Sequence, residues 1–516
     1  DLALRAPGKW GTILNESQSA RILIILPTPS YSHQITFEPF IKALRERDHD
    51  IVFVTVYPDP SFNFTQICLC DMASELPLPN YVELRKDHTW LQIMDNKVWP
   101  IITAWGELVF KHPKVKELYA PGSNATFDLV IAEYLYIPSI FTLAHRFNAP
   151  LIGVLSLETP VYNKYLIGEY ILPSFPSTWE MQDSAGFNVP FWQRMSNYVS
   201  LWYHLYKTFT ITYPKQQQIA EKYLGKDIPN IIDLSKDISL VIMNQPDYLS
   251  FGQPRHPKVI HFNAFHVSED LKPIPNEIKR FIEDSPNGFI YFSLGTNAMS
   301  SKLPVYIRQM LCEVFASLPY NILWKYDAEL EEKPDNVMTA AWVPQQSILA
   351  HPNIKLYIYQ GGLQSTEEAV HFAVPLVGMP VLADQDKILM KLQILGVAES
   401  LRFLKMTKNE VHETVLTVLN DPKMIKLREL SKDQPYNSMN NAIWWTEYII
   451  RHKKCEHFDF HLAGEPFYRR YDIDVIAFLS IMLFIASSLV ILAVYKLIKL
   501  LIQNVINLQD QKQKIS

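Results

Sequence analysis

Cysteine and glycine are both scarce in this chain, with 4 and 16 residues among 516. Four cysteines (Cys68, Cys70, Cys312 and Cys455) cannot form a disulfide framework at this length. The Cys68-x-Cys70 spacing fits neither a CxxC redox pair nor a zinc knuckle, so idle thiols are expected, with a disulfide left open if the compartment oxidises. A basic excess is missing as well: 48 Lys and Arg stand against 53 Asp and Glu, for a net charge of -5. No Lys/Arg cluster is interleaved with aromatics, so nucleic acid is excluded as a partner. No G-x-G-x-x-G follows the first strand candidate, where PTPSYSHQ stands instead, which argues against a dinucleotide-dependent oxidoreductase. Solenoid repeats and low-complexity tracts are lacking too. Long apolar runs are absent with one exception, Val475 to Tyr495, which carries no charge and is long enough as a helix to cross about 30 Å of hydrocarbon.

What remains is ordinary globular composition, 48% hydrophobic and 20% charged, in a chain too long for one core. RILIILP from Arg21, a turn, the helical FEPFIKALRERDHD and then IVFVTVY read as strand, loop, helix, strand. FDLVIAE (127–133) and PLIGVLS (150–156) flank a further helix. A second block holds strand candidates at 288–296, 321–327, 336–342, 354–360 and 374–380, separated by helical segments. Two alternating blocks predict an α/β protein of two Rossmann-like domains facing a cleft, plus one C-terminal transmembrane helix. The expected division is an N-terminal extension (1–20), a first domain (21–250), a Pro-rich linker (251–284), a second domain (285–453), a juxtamembrane segment (454–474), the membrane span (475–495) and a tail (496–516). Aromatic-rich, helical Gln193 to Tyr213 is expected to bury its rings internally, with contact to a membrane surface as the alternative.

Because glycine is rare, Gly361-Gly362 is informative. It follows the strand IKLYIYQ and opens a helix, a geometry in which backbone N–H groups and the helix N-terminus can hold phosphate. From Trp342 the chain reads WVPQQSILAHPNIKLYIYQGGLQSTEEAVHFAVPLVGMPVLADQD. This resembles the donor-binding signature of the UDP-glycosyltransferase family, which includes UDP-glucuronosyltransferases and insect UDP-glucosyltransferases. The resemblance implies a GT-B arrangement of the two domains and a role for each matching residue. Trp342 would stack on uracil, Gln345 would hydrogen-bond the nucleoside and Glu368 would accept from ribose hydroxyls. Thr296, Gln360, Gly361, Gly362, Gln364 and Ser365 would hold the diphosphate, and Asp384 with Gln385 would bind sugar hydroxyls. Asp384-Gln385-Asp386 also has D-x-D metal spacing, as has Asp472-Ile473-Asp474. The resemblance implies that no cofactor or metal is needed, because a helix dipole and backbone donors meet the charge of the leaving diphosphate.

His33, in the loop after the first strand, matches the family's catalytic histidine, and Glu133 matches the carboxylate that fixes it, where many relatives carry Asp. The implied reaction is inverting transfer of a hexose from a UDP-sugar to a hydroxyl of a small lipophilic acceptor, whose pocket is expected around 60–120 and 155–215. Insect-type resemblance favours glucose, while Arg255 leaves glucuronate open. Three positions depart from the family: Gln360 where His is common, Ile388 where Asn is usual and Lys325 where vertebrate members have Arg. The rival reading is a non-catalytic UDP-sugar or lipophile binding protein of the same fold. The first residue is Asp1, with no apolar leader before Arg21, which reads as a mature form whose signal was removed. Sequons at Asn15, Asn63 and Asn124 all precede the span. Lys512-Gln513-Lys514-Ile515-Ser516 matches a K-x-K-x-x retrieval signal. Together these predict a single-pass type I protein of the endoplasmic reticulum membrane with lumenal catalytic domains and a cytosolic tail. A homo-oligomer stays open.

Overall fold

A computed structural model describes residues 19–76, 79–174, 179–180, 189–251, 253–419, 422–454, 456–459 and 464–515. Asn15, Cys455 and Ser516 lie outside the described residues. The chain divides into Asp1–Asp459 and Phe460–Ser516.

In the first unit two parallel sheets form around near-continuous apolar runs, as strands buried on both faces require. One carries β1 (Arg21–Leu26), β2 (Asp50–Thr55), β3 (Thr65–Cys68), β4 (Leu129–Glu133), β5 (Leu151–Leu155), β6 (Leu240–Asn244) and β7 (Val259–Phe262) in the order β3-β2-β1-β4-β5-β6-β7. The other carries β8 (Phe289–Ser293), β9 (Asn321–Lys325), β10 (Val337–Ala340), β11 (Ile354–Tyr359), β12 (Leu376–Gly378) and β13 (Ala398–Ser400) in the order β10-β9-β8-β11-β12-β13. In both sheets the order reverses beside the first strand, which opens a crevice at the strands' carboxyl ends. The helices that matter for that crevice are α1 (Tyr31–Ile35), α2 (Glu38–Glu46), α3 (Phe191–Lys207), α4 (Leu363–Phe372), α5 (Gln385–Ile394) and α6 (Ser438–His452).

The expected domain limits need two corrections. β7 lies inside the predicted linker, yet it pairs with β6 from Val241–Val259 to Asn244–Phe262 and completes the first sheet. α6 was assigned to the second domain, but Ala442, Ile443, Ile449 and Ile450 bury against Phe40, Leu44 and Phe262 of the first core. Both follow from burial: the apolar faces of β7 and α6 pack into the first core. The chain therefore crosses between the halves twice, which ties them together.

The aromatic stretch is also only partly internal. Asn197, Leu201, His204 and Leu205 face inward from α3, whereas Tyr198, Tyr203 and Tyr206 (63% accessible) face outward. Cys68 ends β3 and Cys70 opens the next helical turn, which sets their sulfurs side by side in a disulfide, contrary to the expectation of idle thiols. Cys312 is free.

In the second unit α7 (Ile473–Ile515) is one helix, and Ile473–Leu508 is long and apolar enough to cross a membrane. It does not stop at Tyr495 as the predicted boundary had it. Leu497, Ile498, Leu500, Leu501, Ile502, Val505, Ile506 and Leu508 continue the apolar pattern, and no Gly or Pro follows Tyr495 to end it.

Candidate active site

A cleft of about 680 Å³ lies at the carboxyl ends of both sheets. β1 delivers its chain into the turn at Thr28 to Ser30, and the short α1 then projects His33 into the cleft. Nδ1 of His33 stands 2.9 Å from Oε1 of Glu133, the last residue of β4. The other Glu133 oxygen accepts from the Thr28 hydroxyl. The longer Glu side chain thus pairs with the ring and is held at both oxygens. With Nδ1 occupied, Nε2 is the nitrogen left for a reacting hydroxyl.

Asp384 faces this pair across the cleft, close enough for His33 to favour its charged form. Burial still pushes its carboxyl up to about 6. It sits at the N-cap of α5 without making a capping hydrogen bond, so its oxygens are not spent on the helix. Gln385 differs: its side-chain oxygen accepts from the Val381 and Leu382 N–H groups at 2.8 and 2.9 Å. That braces the turn through Ala383, which has φ 53°, and leaves the Gln385 NH₂ for a ligand.

At the other end Trp342 is 59% accessible, an unusual state for an indole and one that suits a flat platform. The Lys325 ammonium lies 4.9 Å from its ring centre, and Tyr31 meets it edge-on at 6.2 Å. Lys325 also donates to the Gly295 carbonyl at 3.0 Å, and burial lowers its pKa. Glu368 points into the cleft from α4, and burial raises its carboxyl to about 7 even though Gln345 and Gln346 donate to it at 2.6 and 3.1 Å. Gln345 is fully engaged by the protein, because it also donates to the Ser365 hydroxyl and accepts from the Tyr291 and Tyr357 hydroxyls. Its side chain orients Glu368 and Ser365, whereas the sequence pointed to direct contact with a nucleoside.

Between these ends lie Thr296, just after β8, and Gln360, Gly362, Gln364 and Ser365 around the N-terminus of α4. Gly361 is beneath them with φ 93°, and a Cβ there would come within 2.8 Å of Leu389. The close approach therefore demands glycine. Gln360 is wedged against Gly295, and its side-chain oxygen is buried without a protein partner. Gln364 donates its side-chain amide to the Ser156 carbonyl at 2.7 Å, so it bridges the two halves.

The structure adds residues that the sequence reading missed. Tyr81, Trp90, Val98, Ile102, Trp105 and Tyr136 wall the His33 side of the cleft with apolar and aromatic surface. They fall in or near the stretches expected to be variable, where no motif could mark single positions. Arg255 does not line the cleft; it pairs with Asp247 at the surface. The opening for glucuronate that rested on it is withdrawn. Asn63 and Asn124 are exposed on loops.

The family model for UDP-glucoronosyl and UDP-glucosyl transferases matches residues 105–512. The chain belongs to the UDP-glycosyltransferase family. It is a glycosyltransferase, as its relatives' names agree. UDP-glucosyltransferase 2 of Dactylopius coccus is 30% identical over 486 residues, 92% of each chain. UDP-glucuronosyltransferase 2B23 of Macaca fascicularis is 25% identical and covers 88% of this chain and 89% of its own. Among solved structures, Os79 from O. sativa in complex with UDP superposes with a TM-score of 0.56 at 14% identity, covering 83% of this chain and 100% of that one. Arabidopsis thaliana UGT89C1 complexed with UDP gives 0.54 at 14%, covering 84% and 100%. At those identities the likeness establishes the GT-B fold.

Proposed function

We propose that the enzyme transfers glucose from UDP-glucose to a hydroxyl of a small lipophilic acceptor, with inversion and with His33 as general base. The observation that carries this reading is the His33–Glu133 pair at 2.9 Å, facing the Asp384 carboxylate across the cleft. Uracil stacks on Trp342, and Glu368 accepts from the ribose hydroxyls. The diphosphate lies over Gly361-Gly362, where the N–H groups and dipole of α4 meet the charge that develops on UDP. Asp384 and the Gln385 NH₂ hold the hexose. An acceptor hydroxyl against His33 loses its proton to Nε2 as its oxygen bonds to the anomeric carbon and the bond to UDP breaks. Glu133 steadies the resulting imidazolium.

A neutral hexose suits the sugar end better than a uronate does. The lining there contributes the carboxylate of Asp384, with Glu133 just behind His33, while the lining lysines Lys42, Lys272 and Lys325 lie elsewhere. Lys325 is committed to Trp342 and Gly295, and Lys42 and Lys272 act on Glu38 and Asp59. The apolar wall from Trp90 to Trp105 supports an uncharged, ring-bearing acceptor. The names of relatives such as UDP-glucosyltransferase 2 support glucose as well. Metal-free chemistry fits the helix N-terminus at the diphosphate. We also place the catalytic unit in the endoplasmic reticulum lumen, anchored by α7, a reading supported by exposed sequons at Asn63 and Asn124.

Microsomes containing the full chain, given UDP-glucose, UDP-glucuronate, UDP-galactose or UDP-N-acetylglucosamine with phenols, flavonoids and steroids, test the reaction. Release of UDP from UDP-glucose that disappears in His33→Ala is expected. UDP binding without turnover of any donor would favour a binding protein of this fold, and absent UDP binding would overturn the reading.

A further inference from the structure

The loop that follows β5 reaches out of the first half and touches both helices that carry the donor site. The Ser156 carbonyl accepts from Gln364 in the first turn of α4 at 2.7 Å. Two residues on, Oε2 of Glu158 accepts from the Lys387 ammonium of α5 at 2.5 Å. Leu157, between them, lines the cleft. Lys387 lies three residues after Asp384 on the same helical turn.

The charges around Glu158 are buried. Its other oxygen accepts from the Lys164 ammonium at 2.5 Å, and one helical turn beyond Lys387 the Lys391 ammonium donates to the Leu249 carbonyl, also at 2.5 Å. Glu158, Lys164, Lys387 and Lys391 are all nearly inaccessible to water. Burial by itself would raise the Glu158 carboxyl, but Lys164, Lys387 and Lys391 outweigh it and hold the group ionised, below the usual carboxylate range. Burial lowers Lys391 to about 7. Removing such charges from water is costly, and a hydrophobic contact of the same shape is often as stable. What an ion pair adds is direction and register, because only one arrangement of the two halves satisfies it.

We propose that Glu158 and Lys387 form a clasp between the two halves that holds Asp384, and the sugar bound to it, at reacting distance from His33. Both are positioning residues: neither lines the cleft, and they act through Asp384 and α5. The proposal rests on the functional reading above. It separates two things that a structural pair would affect together. UDP contacts Trp342, Glu368 and α4, so its affinity does not depend on the clasp. Transfer does, since a shift of about 1 Å at the reacting atoms costs on the order of a hundredfold.

The test uses the full chain in microsomes or detergent, with Lys387→Met, Glu158→Gln, the double variant and Lys387→Arg. UDP affinity by calorimetry, kcat and KM for glucose transfer, and UDP release not matched by glucoside are measured. Lys387→Met is expected to keep its UDP Kd within about twofold while kcat falls about tenfold to a hundredfold and more UDP is released without product. The double variant should be no worse than the poorer single one, as coupled residues require, and Lys387→Arg should recover most of the rate. A Lys387→Met variant with wild-type kcat would overturn the clasp. So would one that loses UDP affinity in step with kcat, which marks a merely structural pair. If the wild type itself transfers no glucose, the functional reading fails; if it does and the variants match it, only the clasp fails.

Discussion

The donor half and the acceptor half of this cleft are built in opposite ways. On the donor side, polar groups converge from one short stretch of chain: Trp342, Glu368, Gly361, Gly362 and Asp384 lie within about four strand and helix junctions of the second sheet. In the first half the reacting pair His33 and Glu133, braced by Thr28, faces a wall of aromatic and aliphatic side chains drawn mostly from separate helices. The donor is the same molecule at every turnover, so hydrogen bonds can be fixed to it. The apolar acceptor of the proposed function is held by shape and burial, which many sequences can provide.

The comparison is broken most sharply at His33. Its replacement by Ala is expected to lower transfer by about 10² to 10⁴-fold, the usual contribution of a general base, while UDP affinity stays within about twofold. Steady-state rates and calorimetry on one preparation check both halves of that statement. Trp342→Ala should do the reverse and weaken UDP by about tenfold or more, since stacking one base on an aromatic ring contributes about 1–3 kcal/mol. A variant that lowers kcat with UDP affinity intact would move Trp342 out of the donor site.

A pH titration of UDP binding sharpens the same division. Burial lifts Glu368 to about 7, and in the proposed function its ionised form is the one that accepts from ribose hydroxyls. Affinity is therefore highest above that value. It falls as pH drops through about 7, by at most about tenfold per unit for one proton, and Glu368→Gln should flatten the curve. For the donor's kcat/KM a second loss is expected near 6, where burial has placed Asp384, and Asp384→Asn should remove it. The smallest effect belongs to the acceptor wall: Trp90→Leu should raise KM for a ring-bearing acceptor by a few-fold to about tenfold and leave UDP binding unchanged.

The same contrast explains what could be read before the structure. β1, β2, β4 and β5, and β8 to β12, announce themselves as short apolar runs next to turns, and the stretch from Trp342 to Asp384 carries its spacing in consecutive sequence. The His33–Glu133 pair spans a hundred residues, but the match of each to the family's catalytic histidine and its carboxylate made it legible. β7 was hidden because VIHF is short, interrupted by a histidine and embedded in a Pro-rich stretch. α6 looked like the end of the second half because nothing local shows that Ala442 and Ile443 return to Phe40. The engaged side chains of Gln345 and Gln364 follow from contacts with Tyr291, Tyr357 and Ser156, which the identity of a glutamine does not reveal. The acceptor wall was legible only as a region, because aromatic residues at Trp90, Trp105 and Tyr136 read equally well as core.

The most direct test of the account is the anomeric configuration of the glucoside formed from UDP-glucose, read from the proton coupling at the anomeric carbon. A single displacement by a hydroxyl that His33 deprotonates converts the α-linked donor into a β-glucoside, and that product is predicted alone. An α-glucoside would mean that the bond to UDP is replaced with retention, and it would contradict the role assigned to His33 and Glu133.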